Sequence, residues 1–227
     1  MNLRLNSLAQ MVDQSARIAD IGTDHAYLPI QLVKENKIQF AIASDVAAGP
    51  LENAKKDIAA AGLDGNIETR LGAGLDTINS ADQIDTVIIA GMGGKLITQI
   101  LNDAWLKDSI FKTLILEPNI GEPGVRNWLM NHNYQIKREK IIAEAGHTYE
   151  LIKAEKTNKI VKLTEKELFF GPEILTEKNE VFYQKWRGQL AYHKKLLLNL
   201  NKAKEKDLVY MHKIESEIKM IEEEIND

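Results

Sequence analysis

The chain has 227 residues, 44% of them hydrophobic and 27% charged, with 33 acidic against 29 basic side chains and a formal net charge of −4. That is enough apolar material for one full domain, or for a domain with an appendage, and the absence of cysteine excludes a disulfide framework, a thiolate metal site and a cysteine nucleophile. The acidic balance gives no global reason to expect nucleic acid, no apolar run approaches the roughly 20 residues of a membrane span, and Met1-Asn2-Leu3-Arg4-Leu5 lacks the apolar block of a signal peptide, so a cytoplasmic setting is expected.

Strand-like and helix-like patterns alternate along the first two thirds of the chain. Strands are expected over 17–22, 40–46, 67–71, 86–90 and 113–117, and helices over 28–35, 50–61 and 95–103. Gly49-Pro50 puts proline at a favoured first helical position, and Gly62 closes that helix. The strands are rich in buried, β-branched residues, which suits a parallel sheet covered on both faces. Two further strands, 134–142 and 149–154, are separated only by a short stretch around Glu144-Ala145-Gly146-His147. That leaves no room for a crossover helix, so they should pair antiparallel. The expected fold is α/β: a mostly parallel, Rossmann-like sheet ending in an antiparallel hairpin, which resembles the class I methyltransferase variant of that fold.

The pattern changes near residue 161, and two domains are expected, 1–160 and 161–227. Gly171-Pro172 punctuates the second, and Phe182, Trp186, Leu190, His193, Leu197 and Leu200 then recur at steps of four and three. The same lattice runs through Lys204 and Asp207 to Met211, Ile214, Ile218, Ile221 and Ile225. Two charged residues interrupt an otherwise apolar seam, which suggests helices over 178–203 and 207–225 folded back as an antiparallel coiled-coil hairpin. One continuous helix that dimerises is the competing arrangement, and the chain is expected to be a monomer or a weak homodimer.

Asp20-Ile21-Gly22-Thr23-Asp24-His25-Ala26-Tyr27 ends the first strand at the place where ligands enter doubly wound sheets. Asp45 ends the second, at the distance expected of a ribose-binding carboxylate, and Val46 follows it. A dinucleotide site would want a second glycine where Asp24 stands, and a carboxylate there repels a pyrophosphate. A cationic cofactor reverses the sign. The sulfonium and ammonium of S-adenosylmethionine make Asp20 and Asp24 assets, and Asp45 suits the ribose hydroxyls.

Gly72-Ala73-Gly74 would let a flat ring approach backbone, although an ordinary turn explains it equally well. Gly91-Met92-Gly93-Gly94-Lys95 exposes backbone after the fourth strand, but no serine or threonine follows the lysine as in a Walker loop. Glu117-Pro118-Asn119 ends the fifth strand, and Asn119 could read an adenine edge or cap a turn. His25 could be a general base or a hydrogen-bonded scaffold residue. No histidine spacing suggests a metal site, and none is expected.

Residues 185–213 hold eight basic side chains, Lys185, Arg187, Lys194, Lys195, Lys202, Lys204, Lys206 and Lys213, against Glu205 and Asp207, while the tail from 215 is acidic. This is either a solvated helical face or a surface that contacts phosphates and weakens with salt.

Asp20-Ile21-Gly22-Thr23-Asp24-His25-Ala26-Tyr27-Leu28-Pro29, Gly91-Met92-Gly93-Gly94, Glu117-Pro118-Asn119 and Phe170-Gly171-Pro172 together resemble the bacterial tRNA adenine(22)-N1 methyltransferases over nearly the whole chain. One departure is Glu117, where glutamine is common in that family. The resemblance implies an S-adenosylmethionine-dependent enzyme with a Rossmann-like catalytic domain and a coiled-coil domain. It would methylate N1 of an adenine in the D-loop region of tRNA by in-line displacement. Neutral adenine already carries the N1 lone pair, so alignment matters more than a strong base, and an acceptor near N6 would relieve the developing charge.

The candidate cofactor-binding residues are Asp20, Gly22, Asp24, His25, Ala26, Asp45, Val46, Gly72, Ala73, Gly74, Gly91 and Met92. The candidate catalytic residues are Asp24, Tyr27, Met92, Gly93 and Asn119, with Asp24 or the carbonyls of residues 91–93 as the N6 acceptor and Tyr27 as a wall. Lys95, Lys185, Arg187, Lys194, Lys195 and Lys202 are the candidate nucleic-acid contacts. A small-molecule methyltransferase, a non-enzymatic adaptor and a nicotinamide oxidoreductase are the alternatives, in that order.

Overall fold

A computed structural model describes residues 2–202 and 205–226, and its two compact units part between Glu173 and Ile174. The elements of the first unit are, in chain order, α1 (Leu3–Met11), β1 (Arg17–Ile21), α2 (Tyr27–Lys34), β2 (Phe40–Asp45), α3 (Ala48–Ala60), β3 (Ile67–Leu71), β4 (Thr86–Gly93), α4 (Gly94–Trp105), β5 (Thr113–Ile120), α5 (Glu122–Asn131), β6 (Tyr134–Glu144), β7 (His147–Lys156) and α6 (Glu165–Phe170). One seven-stranded sheet has the order β3-β2-β1-β4-β5-β7-β6. Neighbouring strands among β1 to β5 run parallel, whereas β7 is antiparallel to both β5 and β6. This is the expected Rossmann-like methyltransferase architecture with its terminal hairpin.

Successive residues of the central strands feed opposite faces, as a pleated strand requires. Ile18, Ile88 and Ile115 pack with Leu8, Leu28, Leu32 and Ile58 from α1, α2 and α3. Ala19, Val87, Ile89, Leu114 and Leu116 pack with Ile97, Leu101, Val125 and Leu129 from α4 and α5. Each fully buried aliphatic side chain contributes about 1.5–3 kcal/mol, so both faces stabilise the sheet under its ligand-binding edge.

Several elements depart from expectation. Helix α1, absent from the sequence reading, begins at Asn2, whose Oδ1 accepts the Leu5 N–H at 2.9 Å. Helix α5 was likewise missed: Gly121 at its start is left-handed with φ 81, and a proline in the first turn reads as loop in the sequence. Helix α3 starts at Ala48, so Pro50 occupies its third position rather than its first. Strand β4 runs on through Gly93, pairing Met92 with Pro118 and Gly93 with Ile120 across an irregular register, so the glycine segment is bulged strand rather than free turn.

The domain division also lies later than 160/161, and a buried ion cluster shows why α6 stays with the sheet. Arg126 of α5 is fully buried; its Nε donates to Glu139 at 2.7 Å and its Nη2 to Glu150 at 2.5 Å. Its Nη1 reaches the Leu168 and Phe169 carbonyls, each at 3.3 Å, and the Glu173 N–H donates to Glu139 at 3.1 Å. Gly171 passes directly over this cluster at φ 93, where a Cβ would lie 2.6 Å from both Arg126 and Glu139. The Phe170-Gly171-Pro172 motif is thus the price of that close passage.

Helix α7 (Pro172–Glu177) crosses the division, and α8 (Glu180–Asn201) and α9 (Leu208–Asn226) form the second unit. Asn179 caps α8 through Phe182 N–H, and Asp207 Oδ1 accepts Tyr210 N–H at 2.9 Å, so Asp207 starts α9 instead of lying on the seam. Ala203 and Lys204, placed by sequence on the first helix and the seam, lie outside the described residues. Lys178, just before α8, pairs with Glu224 near the end of α9 at 2.9 Å, and His193, further along α8, pairs with Glu217 in the middle of α9 at 3.0 Å, so the two helices run antiparallel. Phe182, Trp186, Met211, Ile214 and Ile221 are buried along it.

Removing Arg126 would take the guanidinium away from two buried carboxylates, Glu139 and Glu150. Arg126→Met should lower the unfolding free energy by about 3–5 kcal/mol, and adding Glu139→Gln with Glu150→Gln should restore most of it. Urea denaturation at neutral pH measures both, and an unchanged midpoint for the single variant contradicts the assignment.

Candidate active site

The sheet order reverses between β1 and β4, and the crevice opens beyond the carboxyl ends of these strands. Ser44 O, at the end of β2, accepts the Gly22 N–H at 2.8 Å and the Thr23 N–H at 3.0 Å. Thr23 Oγ1 accepts the Ala26 N–H at 3.1 Å. Ala26 is left-handed at φ 51, fully buried, and opens α2. The turn after β1 is therefore pinned to β2, which brings Asp20 and Asp45 to one crevice.

Gly22 adopts φ 80, and a Cβ there would sit 2.1 Å from the Met92 methyl. This contact separates two cavities that share Gly22. The larger, of about 550 Å³, is lined by Asp45, Val46, Gly72, Ala73, Gly74 and Met92, with Leu96 and Ile100 of α4 as apolar walls. The smaller, of about 310 Å³, is lined by Asp20, Asp24, His25, Ala26 and Tyr27, together with Arg4 and Ala90. Gly91, Gly93 and Asn119 line neither. Asn119 Nδ2 donates to the Gly91 carbonyl at 2.8 Å, which occupies both the amide and one of the carbonyls read as possible N6 acceptors.

Asp20 is the desolvated charge of the smaller cavity. Burial pushes its carboxyl up to about 6, against a hydrogen bond from Thr23 and the positive charge of Arg4, with the Asp45 charge adding to the rise. Asp24 differs: its side chain is 70% exposed, so solvent screens it, and it lies 3.6 Å from His25 Nε2. His25 Nδ1 is held by Asp57 of α3 at 2.7 Å, and the His25 ring stacks on Tyr27 at 4.9 Å. Asp45 Oδ1 accepts the Ala47 N–H at 2.7 Å, so part of its carboxylate is already engaged in leading the chain into α3.

Two participants were not visible in the sequence. Arg4 comes from α1, pairs with Glu117 at 2.6 Å and lies 5.4 Å from the Tyr149 ring. Glu117 is fully buried, its carboxyl is raised by burial despite Arg4, and its Oε1 has no hydrogen-bond partner. Asp57 orients His25 from 32 residues away. Neither contact leaves a local pattern, since each joins separate elements.

The basic candidates are spread over both units. Lys95 is exposed in the first turn of α4. On α8, Lys185 lies 5.3 Å from the Trp186 ring, Arg187 5.7 Å from the Tyr183 ring, and Lys194 pairs with Glu222 at 2.6 Å, while Lys195 and, just after the helix, Lys202 are exposed. Among the described residues no group of three or more His, Cys, Asp or Glu side chains could hold a metal ion, and no helix is long and apolar enough to cross a membrane.

Residues 18–223 match the profile of the tRNA (adenine(22)-N(1))-methyltransferase family. The chain is 35% identical over 207 residues to the Bacillus subtilis (strain 168) tRNA (adenine(22)-N(1))-methyltransferase, covering 89% of this chain and 87% of that one. The crystal structure of the B. subtilis M1A22 tRNA methyltransferase TrmK superposes with a TM-score of 0.90 at 32% identity, covering 99% of this chain and 98% of that one. Mycoplasma capricolum TrmK, solved with S-adenosyl-homocysteine, superposes with a TM-score of 0.88 at 36% identity over 100% of this chain and 98% of that one. On the profile match and these relatives, the chain belongs to the tRNA (adenine(22)-N(1))-methyltransferase family.

Proposed function

We propose that this chain transfers the methyl group of S-adenosylmethionine to N1 of adenine 22 in the D-loop region of tRNA, and that it does so in the cytoplasm. The observation that carries the reading is the divided crevice, with a partly buried, desolvated carboxylate, Asp20, on the smaller side of Gly22. A desolvated carboxylate is costly unless a cation meets it, which fits a cofactor bearing a sulfonium and an ammonium and disfavours a pyrophosphate. The larger cavity suits the nucleoside: apolar walls at Leu96 and Ile100, small residues at 72–74, and Asp45 for the ribose hydroxyls. The relative bound to S-adenosyl-homocysteine supports the same ligand here.

When bound, S-adenosylmethionine supplies an electrophilic methyl group. The chain's own part is to align, exclude water and manage one proton. Asp20 and Asp24 hold positive charge at the end of β1, and Met92 fixes the partition between the cavities. Tyr27, backed by His25, walls the side where the adenine enters. Asp24, beside a His25 anchored on Asp57, is the acceptor assigned to the N6 proton, because a carboxylate can take up a proton whereas the carbonyls of residues 91–93 can only accept a hydrogen bond. N1 lies on the Watson–Crick edge, so the target base must leave its stack to reach this wall.

The second unit supplies the phosphate contacts. Arg187, Lys194 and Lys195 share one side of α8, next to its apolar seam, and Lys202 follows directly at its end. The seam is covered by α9 of the same chain, so one chain suffices to present them.

Methyl transfer from labelled cofactor to a tRNA transcript tests the reading. Label should enter tRNA carrying adenine 22 and not a transcript with that base replaced. Label that survives the replacement rejects the position, and transfer that needs no tRNA favours a small-molecule methyltransferase. For the arm, Lys195→Glu with Lys202→Glu should weaken tRNA binding by about tenfold or more at low salt and flatten its salt dependence, with cofactor affinity unchanged. Unaltered tRNA affinity at low salt contradicts the phosphate-contact role.

A further inference from the structure

A groove of about 800 Å³ runs between α1 and α2 outside the site described above. Asn2, Leu5 and Tyr27 line both this groove and the smaller cavity, so the two are continuous around the Tyr27 ring. That ring is 51% exposed and stacked on His25 at an interplanar angle of 7°, a flat, supported surface between two spaces.

The groove's polar lining is dominated by amides. Gln31 Nε2 donates to Glu35 at 2.6 Å and to Asn6 Oδ1 at 3.3 Å, while Gln31 Oε1 is buried with no hydrogen-bond partner. An unmet buried acceptor is costly, and a small rotation of the side chain would let a bound donor satisfy it. Leu5 and Ile30 supply apolar walls, and exposed Lys34 stands at the groove with a positive charge. Amide side chains that match donor–acceptor edges, an aromatic face and a nearby cation are what a splayed-out RNA nucleotide requires.

Resting on the functional reading above, we propose that this groove holds the nucleotide next to the target adenine in the tRNA strand. The target base enters the smaller cavity on one side of Tyr27. Its covalent neighbour lies in the groove on the other side, stacked at Tyr27, with a base N–H donating to Gln31 Oε1 and its phosphate near Lys34. A flipped base drags its neighbours with it, and contacts to those neighbours set sequence context in other base-flipping enzymes. The groove therefore makes methylation depend on a base that is not itself modified.

A double-mutant cycle across the interface tests this. The substrates are tRNA transcripts carrying an abasic nucleotide immediately before or immediately after the target adenine. With the unaltered chain, one of the two should lose about tenfold in kcat/KM. Gln31→Leu should lose a similar factor on intact tRNA, through KM, while binding S-adenosylmethionine normally, and should lose nothing further on that abasic transcript. Losses that multiply, a Gln31→Leu enzyme equal to the unaltered one, or indifference to both abasic positions each overturn the proposal. Lys34→Ala, a surface change, gives an independent arm: weaker tRNA binding with a shallower salt dependence supports the groove, and unchanged binding counts against it. Absence of any transfer by the unaltered chain removes the functional reading, and the groove proposal with it.

Discussion

The carbonyl oxygen of Ser44 accepts two N–H bonds, from Gly22 and Thr23, and this pair fixes the turn after β1 against the end of β2. The rest of the crevice is referred to that point. It sets Asp20 and Asp45 on either side of one glycine, allows Met92 to close over Gly22, and starts α2 at a buried, left-handed Ala26. Backbone donors that a phosphate would need are therefore spent on the protein itself. What remains at the end of β1 is carboxylate, and that reverses the sign of the ligand the crevice accepts.

The charge balance follows from burial. Arg4 is committed to Glu117 at 2.6 Å and only partly offsets Asp20, so Asp20 holds its proton up to about pH 6. Because its folded value lies above its unfolded one, Asp20 favours the fold at low pH, and that contribution is lost as pH rises through about 6. A cation in the smaller cavity acts in the opposite direction, stabilising the ionised form and releasing a proton near that pH. Asp24, exposed beside His25, carries less of this electrostatic task than its place in the sequence suggests.

The strands were legible because burial on both faces leaves β-branched runs that no surface helix would tolerate, and the hairpin was legible because its connection is too short to cross over. The helices that escaped notice did so for local reasons. Helix α1 has 9 residues and no acidic residue in its first turn, and α5 begins with Gly121 and an early proline that imitate a turn. The residues that line the two cavities after β1, β2 and β3 could be read as neighbours because strand ends converge by construction. Arg4 and Glu117 are 113 positions apart, and no periodicity announces such a contact. The glycines of residues 91–94 were visible as a motif but not as bulged strand, since register shifts have no composition of their own.

The central claim is that a partly buried, desolvated carboxylate at the end of β1 waits for a cationic cofactor. Carbon-13 NMR titration of the Asp20 carboxyl, free and with saturating S-adenosylmethionine, tests it most directly. The account predicts a midpoint near 6 in the free protein and a lower one in the complex. A free-protein midpoint at the ordinary aspartate value of 3.8, or a midpoint that the cofactor does not move, would contradict it.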